Sequence, residues 1–149
     1  MPKPFSIPFS ARWADVDANR HMRHSAYSDY AAHARVMFFN DIGFDLARFE
    51  AIGLGPILFR EELVYRREIS PGESAVVDVR MRALSKRVDR WSIQHAMLKA
   101  TDTLAATIIV EGAWMDLATR KLVAPPEDLA QALLNAARIE DFSWIERPA

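Results

Sequence analysis

Residues 15 to 27 read Asp15-Val16-Asp17-Ala18-Asn19-Arg20-His21-Met22-Arg23-His24-Ser25-Ala26-Tyr27, and the run continues to Ala34-Arg35. Two carboxylates lead into a short polar turn, and an amphipathic helix follows at once. A carboxylate just ahead of a helix N-terminus lies beside backbone N–H groups that have no acceptor within the helix. The carboxylate can act as base or nucleophile, and the amides can hold developing negative charge. Together they are equipped for attack on a carbonyl. Asp17 is the strongest candidate, since a carboxyl with a reference pKa of about 3.9 is ionised at neutral pH. Its structural alternative is an Asx-turn with Ala18-Asn19. Asp15 shares the same side of an extended segment. It reads first as a structural hydrogen-bonding group and second as a substrate contact. The amides that begin the helix belong to His24, Ser25 and Ala26, where the positive end of the macrodipole adds to them.

The elements that must position these groups follow from hydrophobic spacing. Phe5 to Ala14 reads as a first strand. From Ser25 to about Ile42, Tyr27, Tyr30, Ala31, Ala34, Met37, Phe38 and Ile42 recur at three- and four-residue steps, which draws one apolar stripe along a helix. The bulk of that stripe suits a helix wrapped by a sheet. Asp45 caps a short helix through Phe49 and Ile52, stopped by Gly53 and Gly55. In Ile57 to Ile69 the residues Ile57, Phe59, Leu63, Tyr65 and Ile69 share a face, and Ser70-Pro71-Gly72-Glu73 turns the chain. Ala75 to Ala83, Trp91 to Ala100 and Leu104 to Leu117 are three further strands. Pro125-Pro126 opens a terminal helix carrying Leu129, Leu133, Leu134 and Ala137 on one side. Phe142 and Trp144 are too apolar for a linker and are expected to dock on the body or on a neighbouring subunit.

Composition sets the outer limits. At 149 residues the chain fits one domain spanning residues 1–149, able to bury roughly 68–70% of its unfolded surface. Half the residues are apolar and 26% charged, as a packed globular domain requires. The formal charge of −1 gives no global attraction to nucleic acid or anionic membrane, so neither is an expected partner. The chain has no cysteine, which excludes disulfides, thiolate metal ligands and a cysteine nucleophile. Met1-Pro2-Lys3-Pro4-Phe5 lacks the apolar core of a signal peptide, and no apolar run approaches the ~20 residues that span a bilayer. A soluble cytoplasmic protein is expected. His21, His24 and His33 lack the spacing of a metal site, and none is expected.

The same block resembles the signature of the 4-hydroxybenzoyl-CoA thioesterase-like branch of the hotdog superfamily, Asp-x-Asp-x-x-Gly-His-Val-Asn-Asn-x-x-Tyr followed by a helix with an Ala-Arg pair. Asp15, Asp17, His21, Tyr27 and Ala34-Arg35 fall in place. Arg20 stands where the family usually has Gly, and Arg23-His24 where it often has Asn-Asn. Tyr65, Ser70-Pro71-Gly72 and Pro125-Pro126-Glu127 extend the likeness over nearly the whole chain. The resemblance implies an α+β hotdog domain, a curved antiparallel sheet wrapped around a long central helix. It implies an acyl-CoA thioester hydrolase with Asp17 as the catalytic carboxylate and a backbone donor at His24 or Ser25. Coenzyme A enters as part of the substrate, with no separate cofactor. Edge-to-edge pairing implies a homodimer, or a homotetramer of two dimers. The alternative is a hotdog protein that binds an acyl thioester or other small apolar ligand without turnover, which Arg20 or Arg23 would favour by pairing with Asp17.

Several residues have two readings. His21 either braces the turn or touches substrate, and Tyr27 packs at the helix start within reach of substrate. Phe59 and Trp91 are candidates for the acyl channel. Arg82, Lys86, Arg87 and Arg90 crowd one hairpin, where guanidinium forks suit the phosphates of coenzyme A and equally suit a solvated turn. His95, between Ile93 and Met97 on a strand, reads as a satisfied core or interface histidine.

Overall fold

The computed structural model describes residues 2–146. Its centre is α1, His24–Asp41, an 18-residue helix. Ala26, Tyr27, Ala31, Ala34 and Phe38 form its buried face. The three alanines keep that face narrow, so the sheet can close around the helix. Among the described residues seven strands make the sheet. These are β1 (Phe5–Phe9), β2 (Leu54–Tyr65), β3 (Ala75–Ser85), β4 (Arg90–Lys99), β5 (Leu104–Asp116), β6 (Leu122–Val123) and β7 (Arg138–Ile145). The path runs β1-β3-β4-β5-β2, antiparallel throughout, with β6 beside β5. Alternate residues Trp91, Ile93, His95 and Met97 of β4, and Ile108, Val110 and Trp114 of β5, are fully buried against the helix.

Two short helices complete the domain. α2 (Leu46–Ile52) starts at Asp45, whose Oδ1 accepts from the Arg48 amide at 2.8 Å, and ends at Gly53 in the left-handed region with φ 67°. α3 (Glu127–Leu134) buries Leu129 and Leu133. No helix among the described residues is long and apolar enough to cross a membrane.

Three expectations are corrected, and the tail, expected to dock, does so on the body. The first strand stops at Phe9, because Trp13–Asp15 winds into a single 3₁₀ turn rather than continuing extended. The second strand runs Leu54–Tyr65, so Ile69 lies outside it. Ile57 and Leu63 do not share a face. Pairing with β5 slips between Leu58 and Arg60, Ile57 lies opposite Ala113 and Leu63 opposite Ile108, and the bulge at Phe59 reverses the alternation. The tail is a strand: β7 pairs parallel with β3, Ser143 opposite Ala83 and Trp144 opposite Leu84. It lies on the edge of β3 that β1 also uses, β1 covering Ala75 to Val79 and β7 covering Met81 to Ser85. The opposite edge of the sheet is β2, which pairs with β5 alone and exposes Leu58, Phe59, Val64 and Tyr65.

Candidate active site

The residues ahead of α1 form a small hairpin. Val16 bridges Met22, the Asp17 amide donates to the His21 carbonyl at 3.1 Å, and the Arg20 amide donates to the Asp17 carbonyl at 3.0 Å. The Met22 amide ties this hairpin to the body through the Ile69 carbonyl at 2.8 Å. His21 Nε2 meets Glu68 Oε2 at 2.9 Å and so braces the turn.

Arg20 occupies φ 67°, a region that a residue with a Cβ enters at a cost of about 1–2 kcal/mol. That is the physical sense of a glycine at this position. Arg20→Gly is expected to raise stability by about 0.5–1 kcal/mol, after allowing for the greater freedom of glycine in the unfolded chain. Chemical denaturation measures it, and an unchanged or lower midpoint would contradict the strain.

Asp17 is exposed. Its Oδ1 accepts from the Asn19 amide at 2.8 Å, so the Asx-turn is present, and Oδ2 has no partner among the described residues. No ion pair holds it among the described residues. Arg23 points elsewhere, to Asp15 at 3.7 Å, to Asp29 at 3.6 Å and to the Ser25 hydroxyl. α1 starts without a side-chain cap at Arg23. The Ala26 amide donates to the Arg23 carbonyl at 3.0 Å, while the amides of His24 and Ser25 find no acceptor among the described residues. Tyr65 of β2 pins this end of the helix, its hydroxyl donating to the His24 carbonyl at 3.1 Å. The Tyr27 ring, buried, stands edge-on to Tyr65 at 5.0 Å. It packs the helix start and presents little surface to a ligand.

Asp15 is held as a structural hydrogen-bonding group. It is 1% exposed. Arg12 forks onto it, Nε to Oδ2 at 3.0 Å and Nη2 to Oδ1 at 2.9 Å, and the Tyr30 hydroxyl donates to Oδ2. The Arg12 amide donates to the same oxygen at 3.0 Å. The hydrogen bonds from Arg12 hold this carboxyl well below its ordinary value of 3.8, against the opposing effect of burial. A carboxyl lowered by folding stabilises fully above its unfolded pKa, and that contribution drains as pH falls through the folded value. Asp15→Asn is therefore expected to cost about 2 kcal/mol at neutral pH. The gap to wild type should narrow steadily below about pH 4. Denaturation midpoints across that range check the sign; a gap independent of pH would contradict it.

Phe59, Trp91, Arg82 and Arg90 come together elsewhere. They line one cleft of about 440 Å³ with Ser143 and Trp144 of β7. Arg90 stacks over the Phe59 ring at 5.7 Å, and Arg82 reaches Ser92 Oγ at 3.4 Å and Glu111 at 3.7 Å. Trp91 is buried with its indole N–H unpaired among the described residues. Lys86 and Arg87 line a neighbouring cleft of about 440 Å³, with the Lys86 ammonium 4.1 Å over Trp144. Sequence reading missed the part of β7 in both walls; the apolar pair Phe142 and Trp144 was the available signal. Phe59 lies six residues before Tyr65 on β2, roughly 20 Å along an extended strand. Within one chain the acidic turn and the basic hairpin are thus at opposite ends of the sheet. His95 is fully buried, as a core histidine.

A family profile described as the thioesterase-like superfamily matches residues 11–133. No curated protein matches the chain. Among solved structures, a hypothetical protein from Staphylococcus aureus, characterised in complex with CoA, is 20% identical with a TM-score of 0.85, covering 98% of this chain and 90% of its own. A hypothetical protein from Thermus thermophilus is 24% identical with a TM-score of 0.78, covering 87% of this chain and 96% of its own. A 1,4-dihydroxy-2-naphthoyl-CoA thioesterase from Synechocystis is 14% identical with a TM-score of 0.79, covering 89% and 97%. At these identities the likeness is one of fold.

Proposed function

This chain belongs to the thioesterase-like superfamily, and we propose that it hydrolyses acyl-CoA, converting thioester and water to a carboxylic acid and free coenzyme A. The observation that carries this reading is the pairing of Asp17, with one oxygen uncommitted, and the unclaimed amides of His24 and Ser25 at the start of α1. The amides and the helix dipole stabilise the oxyanion that forms at the thioester carbonyl. Asp17 either attacks that carbonyl, giving a mixed anhydride that water then opens, or takes a proton from the attacking water. In both routes the sulfur leaves as the thiol of coenzyme A. The Staphylococcus aureus neighbour is characterised with CoA and the Synechocystis one is a CoA thioesterase, which supports the same carrier here.

The arginine cluster is the proposed seat for the phosphates of coenzyme A, with Phe59 and Trp91 beside it. A second copy joins the two regions. Antiparallel pairing of the open β2 edges of two chains lays the Tyr65 end of one strand beside the Phe59 end of the other. The start of α1 in one chain then approaches the basic hairpin of its mate, and the working unit is a homodimer. The non-catalytic alternative draws its support from Arg20 or Arg23 pairing with Asp17; Arg23 is engaged with Asp15 and Asp29, and neither arginine pairs with Asp17 among the described residues. The test is thiol release from a panel of short-chain, long-chain and aromatic acyl-CoAs. Turnover of at least one is expected; binding with no release from any would replace the hydrolase with the binder.

A further inference from the structure

One buried group takes no part in the chemistry above. Arg35 projects from α1 into the core and is 8% exposed. Its Nη1–H donates to His95 Nε2 at 2.9 Å. His95 Nδ1 faces the Asp78 carbonyl at 2.8 Å, and only an N–H can meet a carbonyl, so Nε2 is the lone-pair nitrogen. Burial holds His95 neutral, its pKa pulled down to about 3. His95 therefore offers Arg35 an acceptor and no negative charge. Among the described residues no carboxylate lies within 4.0 Å of the guanidinium. A buried charge without a counter-charge costs several kcal/mol.

Among the described residues, the carboxylate whose charge acts on Arg35 stands on the open edge. Glu61 of β2 lies opposite Val110, which lies opposite Ile93. Val110 and Ile93 are fully buried, so Glu61 shares the inner face of the sheet. The next row along is Leu63, Ile108 and His95, where Arg35 is anchored. Burial draws the Arg35 pKa down, and the charge of Glu61 works against that shift. Glu61 is exposed in the single chain because no described strand pairs with the free edge of β2.

Symmetry selects the register in which a second copy covers it. A two-fold axis relating antiparallel neighbours stands perpendicular to the sheet, so inner residues must face inner residues. The axis can pass through Arg60, Glu61 or Glu62 within the charged triplet. Through Arg60 it sets two arginines opposite each other, and through Glu62 two glutamates on the outer face. Through Glu61 it sets Arg60 of each copy opposite Glu62 of the other. The existing Arg60–Glu62 pair at 3.1 Å then becomes half of a four-charge ring. Leu58, Phe59, Val64 and Tyr65 flank the triplet and supply apolar surface to both sides.

We propose that β2 pairs with a second copy about an axis through Glu61, and that the two Arg35 guanidinium groups neutralise the two Glu61 carboxylates that this register brings face to face. The proposal rests on the edge pairing of the functional reading and adds its register and the group that makes it tolerable. Arg35 is a positioning residue, set by His95 and completed by the partner.

The chain has no cysteine, so single thiols report the register directly. Directly opposed residues have Cα atoms about 4.5–5.5 Å apart, within disulfide reach. Glu61→Cys is expected to cross-link two copies on mild oxidation, while Arg60→Cys and Glu62→Cys do not. Sedimentation of uncross-linked variants tests the charge. Arg35→Gln is expected to weaken the dimer about 10- to 100-fold, and Glu61→Gln added to it to restore most of that loss, which a purely structural role for Arg35 would not allow. If Arg35→Gln fails to fold, Glu61→Arg, which stacks four like charges at the axis, should split the dimer. Cross-linking at Arg60 or Glu62 in place of Glu61, or a double variant no tighter than Arg35→Gln, overturns the proposal and leaves hydrolysis untouched. A wild-type monomer that hydrolyses acyl-CoA overturns both the register and the shared site.

Discussion

Asp17→Asn is expected to lower kcat for thioester hydrolysis by about a thousandfold, with little change in KM and none in fold. The separation of effects follows from the environment of the side chain. Asp17 is exposed and, among the described residues, carries no ion pair and makes one structural hydrogen bond, from the Asn19 amide to Oδ1. Asparagine keeps a carbonyl oxygen for that bond, so the turn survives. What is lost is the negative charge on the second oxygen, and both routes to the product need it. The His24 and Ser25 amides are backbone groups and remain in place, leaving a residual rate from oxyanion stabilisation and orientation. Steady-state thiol release with the preferred acyl-CoA decides. A variant that keeps a tenth or more of wild-type kcat would remove Asp17 from the mechanism.

Gly112→Ala should be the most damaging small change to the fold. A Cβ at Gly112 would stand 2.1 Å from the Ile57 carbonyl oxygen and 2.6 and 2.7 Å from Trp91 ring carbons. Neither neighbour can give way cheaply. Ile57 is held in the β2–β5 ladder just before the bulge, and Trp91 sits opposite Gly112 in the β4–β5 ladder, 1% exposed. The methyl must push β2 off β5 or drive the indole from its place beside Trp114, whose ring is 5.9 Å away. A loss of about 3 kcal/mol is expected, lowering Tm by roughly 10 °C. Thermal unfolding by circular dichroism checks it, and a shift under about 2 °C would show that the strands can part here without penalty.

How far the sequence speaks for itself depends on how local each cause is. The stripe through Tyr27, Ala31, Ala34 and Phe38 announced α1 because burial and helical period coincide there. The Asp17 turn and the helix start were legible for the same reason: they are contiguous, and their chemistry depends on adjacency. Arg35 was not legible as a buried residue. A charge inside an apolar stripe is explained only by His95, sixty positions away on β4. The bulge at Phe59 was hidden because alternation from Ile57 to Tyr65 looks unbroken until the partner strand fixes the count. β7 escaped because its partner β3 lies far back in the chain and runs parallel to it. The distance between the acidic turn and the basic hairpin is likewise a property of the folded sheet. Residue types named both groups; only the strand ladder shows that one chain holds them apart.

The first and last strands, β1 and β7, lie end to end along a single border of the sheet, against β3. Anything genetically fused ahead of β1 or behind β7 would hang from that border, with β4 and β5 between it and the β2 side. A purification tag or a fluorescent reporter attached ahead of β1 should therefore leave self-association undisturbed, whereas one attached behind β7 would crowd the cleft that Ile145 and Glu146 share with Lys86 and Arg87.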